Sequence, residues 1–283
     1  MAAKIAIVTG SNTGIGKATA VGLAKAGAQV VIAVRDTAKG DAARAEIVAE
    51  TGNESTLVLP LDLGDFASIR SFVAAFSKRF DRLDVLVNNA GVTMRERTTT
   101  KDGFESTFGV NHLGTALLTR ELLPLLEKSA PSRVVIVSSD LHYRGKMQWD
   151  DLQQTKGSFR GLAAYNQSKL ANVIFSNALA KRLEGKGVTV NALHPGVVAT
   201  DLLRGYPKAV AAVAKLFMLT PERGAACSLY VATSPEVAST TGAYFEKSKP
   251  KTASSDARDV AQQERLWSIT DELIANASRQ RAA

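Results

Sequence analysis

Tyr165 and Lys169 stand four positions apart in the run Tyr165-Asn166-Gln167-Ser168-Lys169. On a helix that spacing puts both side chains on one face. A free phenol titrates near pH ~10 and is a poor proton carrier at neutrality. A neighbouring ammonium favours the phenolate and is expected to lower that pKa. Tyr165 could then give a proton to a carbonyl oxygen or take one from an alcohol. The pair alone fits an ordinary amphipathic helix with a surface lysine equally well, so the surrounding sequence must decide.

The chain opens on a short apolar run that leads into Thr9-Gly10-Ser11-Asn12-Thr13-Gly14-Ile15-Gly16. Glycines there let the backbone turn sharply and approach a pyrophosphate. A helix that follows directly points its first N–H groups at the phosphate charge. The context of strand, glycine loop and helix makes dinucleotide binding the preferred reading over a plain tight turn. The second strand ends in Ala33-Val34-Arg35-Asp36. An acidic residue at its tip would bind a ribose 2′-hydroxyl. Val34 occupies that place and Arg35 follows it, and a guanidinium suits a 2′-phosphate. Asp36 lies one step later, where it would cap the next helix. NADP(H) is therefore expected over NAD(H).

Other polar residues sit at strand ends or in unusual places. Asp62 and Leu63 end the third strand, and Asn88-Asn89-Ala90-Gly91 ends the fourth. Ser138 and Ser139 close the fifth, and either hydroxyl could meet a substrate oxygen. Asn111 is a polar residue within a long helical stretch, where it could simply mark a bend. Pro195-Gly196 makes a turn after the sixth strand. His112, His142 and His194 lack the spacing of a metal site, and no metal is expected.

The elements that must hold these residues alternate regularly. Strand candidates are Ile5–Thr9, Gln29–Val34, Thr56–Pro60, Val85–Asn88, Arg133–Ser139, Thr189–His194 and a last one near Gly242–Phe245. Most are continuous apolar runs, as expected when helices cover both sheet faces. Helical stretches are Gly14–Ala26, Thr37–Glu50, Phe66–Phe80, Asp102–Glu127 and Gly161–Glu184, with a final helix at about Ala257–Ala277. This pattern predicts an α/β, Rossmann-type doubly wound sheet of seven mostly parallel strands, order 3-2-1-4-5-6-7. Two segments break the alternation, Asp140–Arg160 and Asp201–Thr220. Both follow the carboxyl ends of strands, where open α/β sheets bind ligands. The first carries Leu141, Tyr143, Met147, Trp149 and Phe159. The second carries Leu202, Leu203, Tyr206, Val210, Val213, Leu216, Phe217 and Met218. Leu141, Tyr143, Tyr206 and Phe217 are the candidate substrate contacts. The second segment could also be core cover or a contact in a homo-oligomer. Ser248–Ser255 reads as a surface loop.

Composition narrows the classes. Hydrophobic residues make up 45% and charged residues 22%, the balance of a soluble globular protein. One domain covering residues 1–283 is expected. No aliphatic run approaches the ~20 residues of a membrane span. A strand starting at Lys4 leaves no room for a signal peptide, so a cytoplasmic protein is expected. The single cysteine, Cys227, fits a reducing compartment and reads as a small core residue. The net charge is +8, but Lys and Arg are scattered without a basic run. That argues against nucleic-acid binding. The same field would favour a cofactor with several phosphates.

Thr-Gly-xxx-Gly-x-Gly, Asn-Asn-Ala-Gly and Tyr-xxx-Lys, in this order and spacing, resemble the short-chain dehydrogenase/reductase family over nearly the whole chain. The resemblance implies that Asp62 sits near the adenine, with Leu63 beside it. It implies that Asn88, Ala90 and Gly91 line the cofactor channel. It favours Ser139 over Ser138 as the residue that orients the substrate oxygen, and gives Asn111 a water that relays protons through Lys169. It places Pro195-Gly196 over the nicotinamide, with the Val198 backbone at the carboxamide and Thr200 near the phosphates or amide. Ala33-Val34-Arg35-Asp36, Ser168-Lys169-Leu170-Ala171-Asn172, His194-Pro195-Gly196-Val197-Val198, Thr233-Ser234-Pro235-Glu236 and Arg265-Leu266-Trp267 resemble the retinol dehydrogenase-like, WW-domain oxidoreductase-like branch. So does the long insert between Ser139 and Tyr165, which stand 26 positions apart. Many animal members of that branch begin with a membrane anchor, whereas this sequence begins in a strand. The expected activity is NADP(H)-dependent interconversion of a bulky apolar ketone or aldehyde and its alcohol. The competing reading is an NADP(H)-sensing regulatory protein. Such proteins usually lose the catalytic tyrosine or lysine, and this chain keeps both.

Overall fold

The computed structural model describes residues 3–196 and 219–282. Eight strands form one sheet in the order β3-β2-β1-β4-β5-β6-β7-β8. They are β1 Ile5–Thr9, β2 Gln29–Val34, β3 Leu57–Pro60, β4 Val85–Asn88, β5 Ser132–Val137, β6 Val188–His194, β7 Tyr244–Glu246 and β8 Lys249–Lys251. The first seven run parallel, with Ile7 beside Val31 on one side and Leu86 on the other. All five residues of β1 and all four of β4 are buried. Helices cover both faces, so the strands need no polar alternation.

The helices flanking the sheet are α1 Gly14–Lys25, α2 Thr37–Thr51, α3 Phe66–Ser77, α4 Thr115–Lys128, α5 Gly161–Arg182, α6 Pro221–Thr233 and α7 Val260–Ala282. Two apolar cores result. One joins β1 and β4 to α3, α4, α5 and α7 through Phe66, Phe76, Leu118, Ile174 and Leu266. The other joins the opposite face to α1 and α6 through Leu23, Val135, Val231 and Phe245. Cys227 is buried in the second core, and burial pushes its thiol pKa up. That is the small core residue expected of it.

Three expectations need correction. The sheet has an eighth strand, because β8 folds back antiparallel on β7 with Glu246 opposite Lys249. Part of the expected surface loop Ser248–Ser255 is therefore strand. Lys247 and Ser248 turn the hairpin at φ 51° and 58°, the backbone of a two-residue turn usually written Asn-Gly. Pro250 is tolerated because β8 is the sheet edge. The stretch expected as one helix over Asp102–Glu127 is divided. A short turn at Ser106–Phe108 is capped by Glu105, whose carboxylate accepts from Thr107 N and Phe108 N at 2.7 Å. A π-helical segment then covers Gly109–Gly114 before α4 begins. Finally, of the apolar residues in 140–160, Met147 and Trp149 pack against the first core and Leu152 is buried in it. They are not free to line a substrate pocket.

Candidate active site

The carboxyl ends of β1, β2, β4, β5 and β6 meet at one edge of the sheet, where the chain's chemistry collects. Gly10 follows β1 at φ 64°. A Cβ on Gly16 would stand 2.4 Å from Gly10 O and 2.5 Å from Asn89 Nδ2, so only glycine lets α1 begin this close to the loop. Thr13 makes no side-chain cap, which leaves the first N–H groups of α1 open to an anion. Ser11 is wholly buried and its hydroxyl donates to Val8 O at 2.7 Å. It can serve a ligand only through its backbone. Asn12 and Ile15 are partly exposed and Gly14 has open space around it. This loop fits a dinucleotide pyrophosphate.

At the tip of β2, Asp36 caps α2 by accepting from Lys39 N at 3.1 Å. It also pairs with the Lys39 ammonium at 3.0 Å, and these contacts hold its carboxyl below the usual range. Arg35 is exposed beside it. Asp62 accepts from Gly64 N at 2.9 Å, and Leu63 is buried. Asn88 Nδ2 donates to Thr119 Oγ1 at 2.9 Å, which ties β4 to α4.

Asn89 and Thr9 escaped the sequence reading. Thr9 Oγ1 accepts from both Asn89 N and Ala90 N, at 3.0 and 2.9 Å. Asn89 Nδ2 donates back to Thr9 O at 2.9 Å. The glycine loop and the Asn-Asn-Ala-Gly loop are thereby clamped together. A second asparagine after a strand was the available signal.

Tyr165 and Lys169 lie one turn apart on α5, with Lys169 Nζ 5.5 Å from the phenol ring centroid. The ammonium donates to Val137 O at 3.0 Å, at the end of β5. A Cβ on Gly91 would come within 3.3 Å of Lys169 Nζ and 3.4 Å of Asn111 Oδ1. Gly91 therefore marks where those two side chains converge.

Asn111 lies in the π-helical segment, fully buried. Its amide donates to Val92 O and Ser168 Oγ and accepts from Val92 N. Ser168 in turn donates to Tyr165 O at 2.8 Å. Asn111 is thus tied through Ser168 to the tyrosine's own backbone, a link absent from the sequence reading.

The two serines separate by role. Ser138 Oγ donates to Lys169 O at 2.7 Å and pins α5 to β5. Ser139 Oγ donates to Asp140 Oδ1 at 3.1 Å and accepts from Leu141 N at 3.2 Å.

The electrostatics depart from expectation. Burial, reinforced by the negative charge of Asp140, pushes the Tyr165 phenol up to about 12. Burial also pulls Lys169 down to about 8. Burial and the Asp140 charge both act against the phenolate, so the pKa of Tyr165 is raised and not lowered.

Around this centre, His142 is locked as a neutral tautomer. Its Nδ1 meets Ser139 O at 2.7 Å and its Nε2 accepts from Ser254 N. Tyr143 donates to Thr252 O at 2.6 Å under Lys251, and Leu141 is partly buried. Pro195 and Gly196 follow β6, with Gly196 at φ 90°. Val198, Thr200, Tyr206 and Phe217 lie outside the described residues. Among the described residues no group of three or more acidic, His or Cys side chains could hold a metal. None of the described helices is long and apolar enough to cross a membrane.

Comparison with known proteins agrees with this geometry. The family model described as short chain dehydrogenase matches residues 4–210. Human retinol dehydrogenase 12 is 47% identical over 274 residues, covering 96% of this chain and 86% of that protein. Human retinol dehydrogenase 13 is 44% identical over 279 residues, covering 96% and 84%. A solved structure of an uncharacterised protein from Mycobacterium paratuberculosis superposes with TM-score 0.78 at 34% identity, covering 95% and 92%. The Pseudomonas aeruginosa RhlG/NADP active-site complex superposes with TM-score 0.70 at 30% identity, covering 87% and 94%. The chain belongs to the short chain dehydrogenase family of oxidoreductases, in its retinol dehydrogenase-like branch.

Proposed function

We propose that this protein is an NADPH-dependent carbonyl reductase acting on a bulky, mostly apolar ketone or aldehyde. The observation that carries the reading is the placement of Tyr165 beside Lys169 on α5, with Ser139 at the end of the adjoining β5. A phenol held near 12 stays protonated at neutrality, the form that donates to a carbonyl oxygen. Ser139 orients that oxygen. Lys169, anchored on Val137 O, holds the cofactor ribose and supplies positive charge beside the phenol. Asn111 holds α5 at Ser168, one turn from Tyr165, and would carry the proton relay. A bound nicotinamide supplies the hydride.

Gly10, Ser11, Asn12, Thr13, Gly14, Ile15 and Gly16 would hold the pyrophosphate, and Asp62 and Leu63 the adenine side. Asn88, Ala90, Gly91, Pro195, Gly196, Val198 and Thr200 would frame the nicotinamide half. The choice of NADP(H) rests on Arg35, exposed at the tip of β2 while Asp36 is occupied as a helix cap. Apolar substrates are favoured by Leu141 and by the apolar content of the second segment, and they suit the names of the retinol dehydrogenase relatives. The test is an aldehyde and ketone series of rising apolar bulk with saturating NADPH. kcat/KM should rise with bulk. A flat or falling series, with short polar carbonyls turned over best, would contradict an apolar pocket.

A further inference from the structure

A cleft of about 520 Å³ opens where the 140–160 segment meets the start of α5. Arg144, Lys146 and Arg160 line it together with Gln148, Leu162 and Asn166. No acidic residue is among the described residues that line the cleft. Among the described residues, the side chains of the three cations have no hydrogen bond or ion pair. Elsewhere on the surface, cations are commonly partnered: Lys25 with Glu50, Arg182 with Glu264 and Lys186 with Glu127. Three cations sharing one cleft without a carboxylate make a field that selects anions.

Asn166 adds a second, independent observation. It is only 9% exposed, it lines the cleft, and its amide has no hydrogen-bond partner among the described residues, with Oδ1 fully buried. A buried amide without partners is uncommon in folded proteins and points to a missing ligand group. With Oδ1 sealed from the cleft, the amide presents its Nδ2 donor end there, the end that suits an anion. The 22-residue α5 begins at this cleft, and Arg160 gives it no side-chain cap. Its first turn, through Gly161, Leu162 and Ala163, lines the cleft and brings the positive end of the helix dipole to it.

The lip of the cleft is apolar, because Leu162 is 65% exposed. Asn166 directly follows Tyr165 in the chain, and Leu162 lies one turn before it. A molecule with its reacting carbon at Tyr165 could rest its chain on Leu162 and its end among the cations.

We infer that the cleft binds the anionic end, carboxylate or phosphate, of an amphipathic substrate whose carbonyl is reduced at Tyr165. This inference rests on the carbonyl-reductase reading. It changes the substrate class from a wholly apolar carbonyl to an apolar carbonyl with one charged terminus.

Calorimetric titration of the full chain with dodecanoate, dodecyl phosphate and dodecanol tests the cleft without turnover. At least one of the two anions should bind tenfold or more tighter than dodecanol, and the better one identifies the headgroup. The triple variant Arg144→Gln, Lys146→Gln, Arg160→Gln should erase that advantage. A control triple variant on the distant exposed cations, Lys78→Gln, Arg79→Gln, Lys181→Gln, should keep it within about twofold. Equal binding of all three ligands to the unaltered protein overturns the inference. Loss of the advantage in both triple variants also overturns it, because net charge would then be the cause. Turnover separates this inference from the reading beneath it. NADPH oxidation with 12-oxododecanoate should exceed that with dodecanal at least tenfold in kcat/KM. Equal turnover of both overturns the anionic substrate and leaves the reductase intact. Turnover of neither, with anion binding retained in the unaltered protein alone, overturns the reductase reading and leaves an anion site.

Discussion

At the scale of single residues, Tyr165 and Lys169 set the pH behaviour. The protonated phenol is present below about 12 and the charged ammonium below about 8. Both forms needed for reduction therefore coexist up to about pH 8. Reductive kcat should be level from about pH 6 to 8 and fall above that as Lys169 discharges. Alcohol oxidation needs the phenolate and should rise with pH over the same range. Lys169→Arg, which keeps its charge, should move the alkaline fall of reduction upward. Reduction that climbs with pH would contradict these assignments. On the proposed reading, Arg35 is the residue expected to select the cofactor. Arg35→Asp removes a phosphate partner and adds a charge that repels the 2′-phosphate. NADPH affinity should drop about tenfold or more while NADH affinity holds or improves. Unchanged affinities for both in a binding titration would place selectivity elsewhere. Lys17, the next candidate, is already paired with Glu46.

At the scale of elements, the parts that announced themselves were those with one dominant physical signal. Ile5–Thr9 and Val85–Asn88 are apolar runs too short for helices and flanked by turn residues, and they are strands with those bounds. The glycine loop and Tyr165–Lys169 were legible because their spacing has a chemical use. What stayed hidden depended on partners far along the chain. Lys247 and Ser248 adopt left-handed backbone without Asn or Gly, so the β7–β8 hairpin carried no local turn signal. Met147 and Trp149 looked like pocket residues because composition cannot tell core packing from pocket lining. The clamp of Asn89 on Thr9 joins residues 80 apart in sequence.

The π-helical segment Gly109–Gly114 was read as plain helix for the same reason. Within it His112 is fully buried among Phe108 and Phe175, and its Nε2 meets Thr270 Oγ1 of α7 at 2.8 Å. Burial holds its pKa near 4, below its ordinary 6.5. Between those values the unfolded chain binds a proton that the folded chain refuses. Stability should therefore fall as pH drops from about 6.5 toward 4. His142 and His194 are also lowered by burial and add to the same slope. Urea midpoints at pH 7 and pH 5 would show the loss, and His112→Gln should flatten part of it. An unchanged slope in that variant would mean that His112 does not report on this packing.

At the scale of the whole molecule, the sheet separates two tasks. One core braces α1 and α6 under the glycine loop, and the other braces α5 and α7 behind Tyr165 and Lys169. The reacting edge sits between them, where strand ends from both halves converge. The net charge of +8 suits a polyanionic cofactor and, by the inference above, an anionic substrate terminus. The central claim is that this edge performs NADPH-dependent carbonyl reduction with the Tyr165 phenol as proton donor. The most direct measurement is steady-state loss of NADPH absorbance with a long-chain aldehyde, for the unaltered protein and for Tyr165→Phe at saturating cofactor. The unaltered protein should turn over, and the variant should bind NADPH equally well while losing roughly 10²–10⁴-fold in kcat. A variant that keeps more than about a tenth of the original kcat would contradict the assignment of the phenol as general acid.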